Sequence, residues 1–126
     1  MKILVKSITD PIDEKDGFRV MVDENLPGGM GEDKAGIDMW PKEIGPSIRV
    51  KNLLRDNPDN WQGYCSEYAR ELERDKDLWV GKILQHARTG VVTLLYSDGT
   101  TEFNNAVIIR EYILASREEF LLKKAA

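Results

Sequence analysis

Apolar and polar positions alternate, then cluster, along the chain in a way that divides it into strands and helices. Lys2 to Ile8 reads as a strand, with Ile3 and Val5 on one face and Leu4 and Lys6 on the other. Thr9 to Gly17 is polar and contains Pro11, so a loop is expected before a second strand at Phe18 to Val22. Pro27 to Gly31 holds one proline and three glycines and must be irregular backbone. Pro41 to Pro46 is a second break, after which Ser47 can cap a short helix through Leu54. Asn57, followed by Pro58, fits the start of a longer helix whose Trp61, Tyr64, Cys65, Tyr68, Ala69 and Leu72 recur at spacings of three and four. A third helix is expected from about Lys76 to Thr89, burying Leu78, Ile83, Leu84 and Ala87 and stopping at Gly90. Val91 to Tyr96 is nearly continuously apolar, as in a strand covered on both faces. Ser97 to Thr100 is a turn and Asn104 to Ala115 is helical. Ser116 with Glu119 can form a capping box for a short C-terminal helix from about residue 116.

This order predicts one α/β domain over residues 1–126. The expected architecture is three-layered, with a small, mostly parallel sheet of three or four strands flanked by helices. With 126 residues the chain can bury about two thirds of its unfolded surface in one core. Hydrophobic residues make up 41% and charged residues 32%, a folded rather than a disordered composition. A net charge of -4 and interleaved signs argue against nucleic acid as a partner. The run Arg70, Arg74 and Lys76 alternates with Glu71, Glu73 and Asp75, which reads as a solvated helix face. The single cysteine rules out an internal disulfide framework and leads us to expect a cytoplasmic protein. No apolar run is long enough to cross a membrane, and the N-terminus lacks a signal-peptide pattern.

Ligands of parallel sheets sit beyond the carboxyl ends of the strands. Two strands here end in polar clusters: Asp23, Glu24 and Asn25 after the second, and Ser97 and Asp98 after the last, with Asn104 and Asn105 opening the next helix. If those strands are parallel neighbours, the clusters converge. Turn chemistry explains the same residue types, and Asp23 can equally be a satisfied structural carboxylate. The oxygen-rich set suits Mg²⁺, Ca²⁺ or Mn²⁺, but its spacing matches no metal motif, so no metal is assigned. Gly28 to Gly31 lacks the lysine and hydroxyl residue of a phosphate loop and reads as a turn. His86 falls in the last turn of a helix and reads as a surface cap. Cys65 reads as a small core residue, and Trp40, Trp61 and Trp79 read as core or interface anchors. No motif requires a cofactor.

The stretch Asp16-Gly17-Phe18-Arg19-Val20, with Val22, Asp23, Pro27 and Gly29, resembles the YeaO-like branch of domain-of-unknown-function family 488. Further blocks match along the chain: Trp40, Lys42, Pro46 and Ser47; then Pro58, Trp61, Tyr68, Glu71 and Leu72; then Val92 to Tyr96, Asn104, Ala106 and Val107. The resemblance implies an α/β fold. It also implies arginines at the positions of Glu24 and Gly28, tryptophan at Leu26, arginine near Lys51 and histidine near Asp56. Where the family favours Asp-x-x-His-Asn-His-Ala, this chain has Thr100 to Ala106, with Phe103 and Asn105 in place of the two histidines. The family pattern resembles an anion or phosphate site with an acid–base group. One reversed contact there is worth roughly 4 kcal/mol at about 4 Å and an effective dielectric near 20, before solvation.

Two readings follow. In the first, the chain is a binding domain with a diverged strand-end site, taking a small anionic molecule or another protein. In the alternative, it is a hydrolase- or transferase-type enzyme acting on a small phosphorylated or nucleotide-like substrate. Asp23 would then be base or metal ligand, Asn104 or Arg19 would orient the substrate, and Glu24, Asn25, Ser97, Asp98 and Asn105 would line the site.

Overall fold

A computed structural model describes the backbone of residues 1–125 and the side chains of residues 1–115. Strands β1 (Lys2–Ser7), β2 (Phe18–Met21) and β3 (Val91–Tyr96) form a wholly parallel sheet in the order β1-β3-β2. Ile3 lies beside Val92, and Val20 beside Leu94. A single parallel bridge from Val20 to Met39 extends the sheet past β2. The helices are α1 (Glu32–Ala35), α2 (Ile48–Asp56), α3 (Trp61–Asp75), α4 (Asp77–Thr89) and α5 (Asn105–Ala125).

The three-layer α/β reading holds, but the layers are unequal. Val20, Val22, Val92 and Leu94 look toward one face, where Val50 of α2, Tyr68 and Leu72 of α3, Ile83 of α4 and Ile109 of α5 complete the main core. Met21 and Leu95 look the other way, into a smaller cluster with Ile8 and Ala35 that Leu26, Met30, Ile37 and Trp40 cover. That second layer is mostly connecting chain, and α1 is its only helical turn longer than a 3-10 turn among the described residues. β3 is therefore buried on both faces, as its apolar run requires.

Arg19 and Asp16 organise the thin layer. Arg19 is buried, pairs with the Asp16 carboxylate, and donates to the carbonyls of Gly36 (2.8 Å) and Ala35 (2.9 Å). Lys6 Nζ donates to the same carboxylate at 3.0 Å. Burial pushes the Asp16 carboxyl up, but the Asp13 N–H, Lys6 and Arg19 outweigh it and hold it below its ordinary range. Gly17 turns the chain into β2 at φ +63, where a Cβ would stand 2.2 Å from the Val91 carbonyl oxygen.

Several boundaries differ from expectation. α3 starts at Trp61, capped by Asn60, which accepts from the Gly63 N–H at 3.3 Å. Asn57 instead ends α2 and makes a local turn to the Asp59 N–H. Glu71 belongs to no solvated face: it is 4% exposed and accepts from the Ser47 N–H at 2.9 Å and from the Ser47 hydroxyl, tying α3 to the start of α2. Leu78, expected to be buried, is 67% exposed. The helix expected to end at Ala115 runs on through Ala125 in one piece. The capping box at Ser116 falls on side chains outside the described residues.

Candidate functional site

Because β2 and β3 are parallel neighbours, the polar residues that follow them do converge. They form a cleft of about 310 Å³ lined by Asp23, Glu24, Asn25, Ser97, Asp98 and Asn105, with Pro46 and Lys51 contributed by the far side. Asp23 is its centre and is 7% exposed. One carboxylate oxygen accepts from the backbone N–H groups of Ser97 (2.8 Å) and Asp98 (3.0 Å). The other accepts from Asn105 Nδ2 at 2.9 Å. The Tyr64 hydroxyl donates to Asn105 Oδ1, which fixes the amide so that its NH₂ faces Asp23. Burial first, and then the Asp23 charge, push the Tyr64 phenol up, so it stays protonated and remains a donor.

The remaining contacts bind the rim to itself. The Ser97 hydroxyl donates to the Asn25 carbonyl at 2.6 Å. Trp40 Nε1 donates to the Asp23 carbonyl at 2.8 Å. Lys51, the only cation lining the cleft among the described residues, pairs with Glu24 at 3.0 Å across a largely exposed gap. Such a pair contributes about 0–1 kcal/mol and shields both charges from other partners. Among the described residues, no three of His, Cys, Asp and Glu stand together to hold a metal ion.

Two expected site residues lie elsewhere. Arg19 is in mid-strand on the thin-layer face, held by Asp16 and two carbonyls, and cannot orient a ligand in this cleft. Asn104 is adjacent but buried. Its Oδ1 accepts from the Val107 N–H at 2.9 Å and its Nδ2 donates to the Thr100 carbonyl at 2.8 Å, so it caps α5. Residues that sequence reasoning did not assign to the site are Tyr64, Trp40 and Lys51. The helical stripe of α3 marked Tyr64 only as core, and nothing in its spacing signals the hydroxyl's partner. Phe103, where the resemblance implies histidine, is 50% exposed and packs edge-on against Trp61, outside the cleft lining.

A parallel three-stranded α/β domain whose strand-end cleft is acidic and bonded to itself is the class of molecule described so far. The chain belongs to the family described as the inactive DUF488-N3 subclade, whose model matches residues 2–123. It is 30% identical over 114 residues to the Uncharacterized protein YeaO of Escherichia coli (strain K12), an alignment covering 90% of this chain and 97% of that one. It is also 30% identical over 71 residues to the Uncharacterized protein Rv3073c of Mycobacterium tuberculosis (strain ATCC 25618 / H37Rv), covering 56% and 60% of the two chains. No solved structure matches the chain. The YeaO-like resemblance read from the Asp16 to Asp23 block and its companions is thereby shown. Among the described residues, no helix is long and apolar enough to cross a membrane.

Proposed function

We propose that this chain is a non-catalytic binding domain whose strand-end cleft has diverged from an anion site into a structural tie, and whose partner is another protein. The observation that carries this is the structural bonding of Asp23. Its two oxygens accept three hydrogen bonds, two of them from backbone N–H groups. A general base needs a lone pair within reach of the substrate proton, and a nucleophile needs a free oxygen. One of the roughly four lone-pair sites of Asp23 stays open, but the other three are held by the joint between the loop after β2 and the turn after β3, which makes Asp23 first of all a structural carboxylate. The enzyme alternative loses its other members, since Arg19 lies on the other face and Asn104 caps a helix. A small anion is also disfavoured as ligand, because Glu24 already pairs with Lys51, the one cation in the lining among the described residues. The description of the matched subclade as inactive agrees with this reading.

The test is to restore the charges that the resemblance implies. A Cβ at Gly28 meets nothing within 4 Å, so an arginine fits there without strain. In calorimetry against inorganic phosphate, the parent should show no binding. The combined variant Glu24→Arg, Gly28→Arg and Asn105→His should acquire it. Phosphate binding by the parent, or none by the variant, would end the proposal that these positions descend from an anion site.

A further inference from the structure

We propose that Phe103 and Trp61 form an aromatic ledge beside the strand-end cleft that receives an arginine side chain of a protein partner. The inference deepens the proposed function and rests on its reading that the partner is another protein. Phe103 is 50% exposed and meets Trp61 edge to face, with ring centroids 5.2 Å apart. Trp61 in turn stacks on Tyr64 at 5.3 Å. The Tyr64 hydroxyl donates to Asn105, which lines the cleft, so the ledge adjoins it.

Two separate observations fix the charge of what this ledge takes. The first concerns the rings. The other two tryptophans each carry a lysine of their own chain, Lys42 at 4.5 Å from the Trp40 ring centre and Lys82 at 4.7 Å from that of Trp79. Among the described residues, Trp61 carries no such cation. Aromatic faces attract cations through their quadrupole. The second concerns the surroundings. The other exposed large hydrophobic side chains, Met1, Ile12, Ile48, Leu78 and Leu114, each have a lysine or arginine within four positions along the chain. Phe103 has none. Residues 56–69 and 97–109, which carry the rings, hold five carboxylates and no lysine, arginine or histidine. Asp56 and Glu67 pair with Arg55 and Arg49. Asp59, Asp98 and Glu102 make no ion pair among the described residues. Burial pushes the Tyr64 phenol up most, and the Asp98 charge is among those that add to it, so that charge reaches the ring cluster. Arginine suits the ledge better than lysine, because its planar guanidinium can stack on a ring while it forks onto a carboxylate.

The test titrates an acetylated, amidated tri-arginine peptide into the full chain at low salt and follows the ring protons of Trp61 and Phe103 by nuclear magnetic resonance. These should shift saturably, tri-glutamate should leave them unmoved, and tri-lysine should bind more weakly. Phe103→Ala, followed at Trp61, should weaken binding about threefold, the size of one exposed cation–π contact. Asp98→Asn combined with Glu102→Gln should also weaken it and flatten its dependence on salt. All three side chains are exposed, so folding is preserved, and circular dichroism checks it. Ring protons that do not shift, an equal response to tri-glutamate, or variants that bind as the parent does would each overturn the inference. Equal binding of tri-lysine would overturn the choice of arginine. These signals arise at the ledge, whereas phosphate binding is read in the cleft, so this inference and the reading of the cleft fail separately.

Discussion

Asp23 shows how a residue typical of reactive sites can act as a joint. Its carboxylate receives the N–H groups of Ser97 and Asp98, which begin the turn after β3, and the amide of Asn105, which begins α5. Asp23→Ala leaves these part-buried donors without their partner and should cost about 2 kcal/mol in urea unfolding. Tyr64→Phe removes only the contact that orients Asn105 and should cost about 1 kcal/mol. If Asp23→Ala leaves stability within about 0.5 kcal/mol of the parent, the joint is not what holds the two loops together. The sequence placed Asp23, Ser97, Asp98 and Asn105 at strand ends that meet only if β2 and β3 are parallel neighbours, and the sheet supplies that pairing. It could not show that Asp23 would accept three hydrogen bonds, since that depends on distances of tenths of an ångström. Nor could it place Arg19, expected to orient a substrate, against Asp16 and the two carbonyls that hold it on the other face.

At the scale of the elements, strand positions were legible and helix starts less so. β3 betrayed itself because both of its faces are buried, which leaves no polar alternation. The start of α3 was misread because Asn57-Pro58 and Asn60 both supply a cap-like asparagine within one turn. The fold uses Asn60, whose side chain reaches the Gly63 N–H, while Asn57 terminates α2. Asn60→Ala should therefore destabilise by about 1 kcal/mol, and Asn57→Ala by less, in parallel thermal melts. Equal losses would mean that the cap is shared. Glu71 was misassigned because the charges around it, Arg70, Glu73, Arg74 and Asp75, are exposed. Only the packing of α2 against α3 turns it toward Ser47.

For the molecule as a whole, acid stability should depend on Asp16. Its carboxyl is held below the ordinary value of 3.8, so it binds a proton less readily folded than unfolded. The stabilisation is then fully present above that value and is lost as pH falls through the lower, folded one. In urea unfolding from about pH 7 down to about pH 2, Asp16→Asn should be less stable than the parent at neutrality, and the gap should close at the acid end. A gap that stays constant with pH would mean that Lys6 and Arg19 contribute packing rather than charge. The order β1-β3-β2 has one more consequence, for how the chain acquires its structure. β1 and β2 follow each other early, yet are not hydrogen-bonded to each other; apart from the bridge of β2 to Met39, each pairs with β3, which is made after four helices. Beyond that bridge, no sheet ladder can form until β3 has been synthesised, so β1 must wait, unpaired, for a segment far along the chain. Contacts of that sequence separation slow folding. A chain cut before Val91 should be without native sheet, and a nascent chain should resist proteases only once β3 has emerged.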